Sequence, residues 1–187
     1  MATVQDTTLT PGKLEALADW LPAQPWYRDP GGAAALQRCG GFRLDDPAGE
    51  VGIEFIVVVE TAGTEPTAYL VPMTYRGAPL PDAPADALIT TSEHGILGTR
   101  WFYDATKDPV ALAELAALLR GEAIAQHQYE SDTLDPTVTV VPVPHATAAN
   151  VRITRILTPD TTGPLTAGWT QPDGTPARAA FAAVAHG

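Results

Sequence analysis

The sequence predicts an α+β fold in which helices pack on an antiparallel sheet, followed by a small β-rich unit. Three observations carry that prediction. Two segments show apolar residues at helical spacing, near residues 14–21 and 112–119. Between them, period-two runs alternate with turn chemistry. After Gly121, short strand-like runs are separated by turns rich in Pro, Thr, Gly and Asp.

The first helix follows Thr10-Pro11, with Thr10 as the expected cap and Pro11 in the first turn. Leu14, Leu17, Ala18 and Leu21 form its stripe and Pro22 ends it. Pro25-Trp26-Tyr27 is expected to fold its rings back onto helix and sheet. Phe42 and Leu44 open a short strand, and Asp46-Pro47-Ala48-Gly49 turns the chain. Val51 to Glu60 is the strongest strand. Ile53, Phe55, Val57 and Val59 share one face, and Ile56 and Val58 hold the middle of the other, with Glu54 and Glu60 expected at its wetter ends. Cover on both faces predicts a central strand. In the next strand, Tyr69, Val71, Met73 and Tyr75 share a face. Pro72 cannot donate to a ladder, which predicts an edge or a bulge.

Leu88 to His94 and Arg100 to Asp104 read as two more strands, hinged at Gly95 and Gly98. Asp108-Pro109 then starts the second helix, which ends at Gly121. The expected layer has its helices on one sheet face. Beyond it, 124–130, 138–143, 151–157, 165–171 and 177–184 are strand-like, with Asp173-Gly174 as a hairpin turn. The organisation expected is a first unit over 1–121 and a small β-rich unit over 122–187, although one continuous sheet fits the same pattern.

Composition narrows the function. The 187 residues suit one domain, or one with a small appendage, and are too few for a (β/α)₈ barrel of about 250 residues or a two-lobed kinase. A net charge of -11 argues against gripping nucleic acid or anionic lipid. The hydrophobic fraction of 45% against a charged fraction of 18% argues against disorder. Cys39, the sole cysteine, allows neither an internal disulfide nor a thiolate zinc cluster. The N-terminal stretch lacks a basic region followed by an apolar run, and no apolar run approaches the ~20 residues of a membrane span. A soluble, cytoplasmic protein is the expectation.

Catalytic vocabulary is sparse. G-x-S-x-G and the phosphate-loop motif are absent, and Gly31-Gly32 lacks the frame for cradling phosphate. His94, His127, His145 and His186 show no metal spacing. In Ser92-Glu93-His94, strand geometry puts Ser92 and His94 on one face and Glu93 on the other, so a half-buried, hydrogen-bonded His94 is favoured over a triad. Glu50 and Glu54 lie ~13 Å apart along a strand, too far for a glycosidase pair. Asp45-Asp46 reads as turn capping. One cluster remains: Tyr75-Arg76 with Arg100-Trp101-Phe102-Tyr103-Asp104. It is either core aromatics with an Arg–Asp pair, or a recognition surface.

The stretches GGFRLDDPAGEVGIEF, YLVPMTYRGAPLPDA and EHGILGTRWFYDATKDPV resemble the N-terminal cap domain of actinobacterial maltokinases. The resemblance runs from about Gly41 to Leu119, through Tyr69, Pro72, Tyr75, Arg76, Glu93, His94, Arg100, Trp101, Tyr103, Asp104, Asp108 and Pro109. It implies a cystatin-like helix-on-sheet module tied to maltose, trehalose and α-glucan metabolism. It does not carry over a kinase mechanism. In the stretch 151–157, Arg152 and Arg155 stand where the family's nucleotide-lobe strand would carry a lysine, and no lysine follows Lys107.

The expected function is therefore a non-catalytic binding or regulatory module that docks on a carbohydrate-metabolising enzyme, with no cofactor, no metal and no catalytic residue. The alternative is a sugar or sugar-phosphate binder, or a small enzyme, using a hollow of the curved sheet. Candidate binding residues are Tyr75, Arg76, Glu93, His94, Arg100, Trp101, Tyr103 and Asp104. Neither nucleic acid nor membrane is an expected partner.

Overall fold

The computed structural model describes residues 9–130 and 132–185. Strand β1 (Leu9–Thr10) leads into helix α1 (Lys13–Trp20), then β2 (Leu36–Leu44), β3 (Val51–Glu60), β4 (Thr67–Arg76), β5 (Leu88–His94) and β6 (Gly98–Asp104). Helix α2 (Pro109–Arg120) follows. The chain ends in β7 (Thr139–Val140), β8 (Val151–Ile153), β9 (Ile156–Leu157), β10 (Leu165–Thr170) and β11 (Pro176–Val184). All pairings are antiparallel, in the order β1-β5-β6-β4-β3-β2-β10-β11-β8. The α+β prediction holds.

β3 is central and buried on both faces, as its pattern predicts. One face carries Ile53, Phe55, Val57 and Val59 into a large cluster with α2, β10 and β11. The other carries Ile56 and Val58 against Leu17, Trp20 and Leu21 of the α1 segment. The two helices therefore cover opposite faces of the sheet, not one face. An apolar helical stripe shows that a helix face is buried, but not against which side of a sheet. On the α1 face, Trp26 packs on Trp20 and Tyr69 at 5.9 Å each, the ring contacts expected of Pro25-Trp26-Tyr27.

Helix α2 begins and ends where the sequence places it. Asp108 accepts the Val110 N–H at 3.0 Å, and Gly121 takes the left-handed conformation at φ 79°. Helix α1 differs: Gly12 is its cap, and Thr10 instead pairs with Glu93 in the sheet. β4 differs too, because it lies inside the sheet. Its Leu70 N–H bonds the Arg155 carbonyl, so even-numbered residues direct their backbone away from β3. On that side β9 pairs with Ala68 and Tyr69 and β6 with Met73 to Arg76, and Pro72 falls in the gap between them. The missing N–H costs no ladder bond.

The segment 151–157 leaves β11 and joins β4. Thr154 N–H bonds the Phe181 carbonyl, and the next residue receives Leu70. The strand path thus returns on itself around Phe42, Phe55, Trp169 and Phe181. Phe42 stacks on Phe55 at 4.7 Å and lies 6.1 Å from Phe181. Residues on both sides of Gly121 share this core and one sheet. The expected strand over 124–130 does not form. Gln126 bridges Arg43 and Leu134, and Gln128 turns its amide inward toward Glu54.

β2 meets β10 at one point, Trp169 opposite Gly40, beside a bulge at Cys39. A Cβ on Gly40 would sit 2.9 Å from that of Trp169. At Gly41 (φ 125°) it would lie 1.8 Å from the Phe55 carbonyl oxygen and 2.7 Å from Gln128 Nε2. Gly41→Ala is expected to cost at least about 2 kcal/mol, through backbone strain and overlap together. Urea unfolding checks this; an unchanged midpoint would contradict it.

Candidate functional site

Strand alternation decides which of the sequence-selected residues meet. Tyr75 packs with Phe102 on the α1 face, at 4.7 Å and edge-on. Arg100 and Asp104 share the parity of Phe102 and so the same side. Trp101 and Tyr103 point the other way, into a small cluster with Leu80 and Ala87. Arg76 lies opposite Trp101 in the ladder and shares its face. The eight residues thus fall into two sets divided by the sheet.

Most of them serve the fold. Arg76 forks onto Asp108 through two hydrogen bonds of 2.7 Å, and Thr74 Oγ1 donates to the same carboxylate at 2.8 Å. Asp108 is fully buried and also caps α2, so this pair ties β4 to the helix. Tyr103 Oη accepts the Leu80 N–H at 3.0 Å and pins the 79–84 loop. Asp104 is buried, ion-paired to Arg155, and accepts the Thr106 N–H at 3.1 Å. Arg155 also lies 4.9 Å over the Trp26 ring, so it clamps 151–157 to the sheet. The Arg–Asp pair expected within the cluster is replaced by two, each joining a cluster residue to a partner outside it: Arg76 to Asp108 and Asp104 to Arg155.

The β5–β6 hairpin holds the others. His94 is half-buried at its tip, and its Nδ1 accepts the N–H groups of Ile96 (3.3 Å) and Leu97 (3.2 Å). Glu93 is exposed and accepts from Thr99 Oγ1 at 2.7 Å. Ser92 Oγ donates to the Pro11 carbonyl at 2.8 Å, which removes it from any nucleophile–base pair with His94. His127 Nδ1 accepts the Tyr129 N–H, and His186 lies outside the described residues. Among the described residues, no group of three His, Cys, Asp or Glu side chains converges as metal ligands would.

Glu54 and Glu60 are not wet ends; both are 2% exposed. Glu54 is the hub of a network that sequence reading missed. It accepts from Lys13 Nζ at 2.6 Å, from Arg38 and the Tyr75 hydroxyl, and from Gln128 Nε2 at 3.2 Å. The signal was present in the sequence: a carboxylate inside an apolar, doubly covered strand demands cations. Its partners come from distant segments, which no local spacing reveals. Burial pushes the Glu54 carboxyl up, but the charges of Lys13 and Arg38 and the hydrogen bonds outweigh it and hold the carboxyl below its ordinary value. Asp108 follows the same logic. Burial raises it, and Arg76, Thr74 and the Val110 N–H bring it below the usual carboxylate range. For Tyr75, burial and the Glu54 charge push the hydroxyl well up, so it stays a donor.

Fold and charge pattern define an α+β module whose buried ionic groups serve its own architecture. Residues 20–108 match the model of the family described as the maltokinase N-terminal cap domain. No curated protein matches the chain. The matched region runs from the end of α1 to the cap of α2 and contains the hairpin and every candidate binding residue.

Two outcomes follow from the buried pairs. Arg76→Ala leaves Asp108 buried without its cation and is expected to cost about 3–5 kcal/mol in denaturant unfolding. Because both carboxylates are depressed in the folded protein, their stabilisation is complete above the unfolded value of ~4 and is lost as pH falls through the lower folded values. Unfolding free energy measured from pH 7 to pH 2 should stay level and then drop below about pH 4. In Glu54→Gln the drop should be shallower.

Proposed function

We propose that this chain is a non-catalytic docking or regulatory module of maltose and α-glucan metabolism. Its partner would be a carbohydrate-metabolising enzyme, and its contact surface the β5–β6 hairpin. The observation that carries this reading is the outer edge of that hairpin within the maltokinase-cap region, which the described residues leave uncovered over most of its length. Among the described residues, β1 on the outer side of β5 pairs only with Glu93 and His94. The stretch from Leu88 to Ser92 has no Lys or Pro to guard its edge, and its backbone can accept an added strand. At the tip, Ile96 is 72% and Leu97 45% exposed, an apolar pair beside acidic Glu93. Such a surface suits a partner with an apolar groove and a basic rim.

The non-catalytic reading is supported by where the acids are. Glu54, Asp104 and Asp108, three of the buried acids, are each bound to an internal cation and so are not free for acid and base roles. The alternative site of Tyr75, Glu93, His94 and Asp104 has no such support, since Glu93 and Tyr75 lie on opposite faces and Asp104 is held by Arg155.

The test is titration of a purified maltokinase catalytic region, freed of its own cap, with this chain. Saturable binding is expected, and Ile96→Asp with Leu97→Asp should weaken it at least about tenfold with Tm unchanged. Equal binding by the double variant, or ATP-dependent phosphorylation of maltose by the chain alone, would contradict the proposal.

A further inference from the structure

At the end of the sheet away from the hairpin, two turns flank a half-open cleft of about 200 Å³. It is lined by Arg28, Asp29 and Pro30 on one wall and Gly63, Thr64, Glu65 and Thr67 on the other, over the buried carboxylate of Glu60. That volume is the space of roughly six or seven waters at ~30 Å³ each, about what one hexose ring displaces.

The walls are fixed. The Arg28 N–H donates to the fully buried Tyr69 hydroxyl at 3.0 Å, and Asp29 Oδ1 accepts the Gly31 N–H at 2.8 Å. The turns touch, since a Cβ on Gly63 would meet Pro30 at 3.7 Å. In the floor, Glu60 Oε1 accepts the N–H groups of Ala35 and Ala62 at 2.8 Å each. Its Oε2 accepts the Tyr27 hydroxyl at 3.0 Å, which leaves that oxygen one further acceptor site. By contrast, the side chains of Arg28, Thr64, Glu65 and Thr67 have no hydrogen bond or ion pair with any described residue.

We propose that this cleft binds a neutral, polyhydroxylated ligand of single-sugar size. Its chemistry selects that class. Three carboxylates against one guanidinium repel a phosphorylated or carboxylated ligand. Pro30 is the one apolar side chain in the lining, so an apolar ligand would gain little. The remaining groups alternate donor and acceptor: the guanidinium fork, two hydroxyls, and carboxylate oxygens. A vicinal diol, which both donates and accepts at each oxygen, pairs with such a set. The site is separate from the hairpin, so its failure would leave the docking proposal standing, and the reverse.

The experiment is a two-dimensional amide NMR titration of the full chain with glucose and maltose, in parallel with glucose 1-phosphate and with ethanolamine. Saturable shifts at residues 28–31 and 61–67 are expected with the neutral sugars, together with weaker binding of the phosphate ester. Arg28→Ala and Glu65→Ala should each weaken sugar binding at least about fivefold. Both side chains are exposed, so Tm should hold and the loss can be read as recognition. The proposal is overturned if no saturable shift appears at those amides, if either variant binds sugar as the parent does, or if ethanolamine or the phosphate ester binds more tightly than the sugars.

Discussion

A carboxylate buried in the middle of the central strand constrains everything on the α1 face. Glu54 has apolar neighbours on both sides of it in β3, and an unpaired charge there would cost several kcal/mol. The chain answers with four donors from four places: Lys13 of α1, Arg38 of β2, Tyr75 of β4, and Gln128 from the segment after α2. Satisfying this one group fixes where the helix lies, how β2 is placed beside β3, and how the later segment folds back. The same device recurs twice. Asp108 binds Arg76 while capping α2, and Asp104 binds Arg155, which holds the crossing from β11 to β4. Each buried acid joins segments that hydrophobic burial alone would leave free to slide.

This use of charge shapes what the molecule can do. Cations are scarce, eleven against twenty-two acids, and several are committed inward. Among the described residues, the exposed charged groups are mostly acidic, with an apolar hairpin tip at one end and a polar cleft at the other. These are the features on which the docking proposal and the cleft proposal rest.

Much of the fold was legible because its signals are local. The two faces of β3 follow from its period, the ends of α2 from Asp108-Pro109 and Gly121, and the last hairpin from Asp173-Gly174, where Asp173 Oδ1 accepts the Thr175 N–H. What escaped is non-local. Nothing in either amphipathic stripe says that α1 and α2 lie on opposite faces. The place of Pro72 inside the sheet depends on β9 ending where β6 begins, far along the chain. The candidate residues are neighbours in sequence, and period-two geometry divides them: Tyr75 from Arg76, Arg100 from Trp101. Carboxylates are usually solvated, and the sequence alone places Glu54 and Glu60 at the wetter ends of their strand face. Only their side-chain partners, 16 to 74 residues away, show otherwise.

The account stands most directly on Glu54 being a structural hub. A double-mutant cycle between Glu54→Gln and Arg38→Met, read by urea unfolding at neutral pH, measures that coupling. A favourable interaction of about 1.5 kcal/mol or more is predicted for a desolvated pair in one network. Coupling near zero would contradict it, and would return Glu54 to the pool of carboxylates free for chemistry.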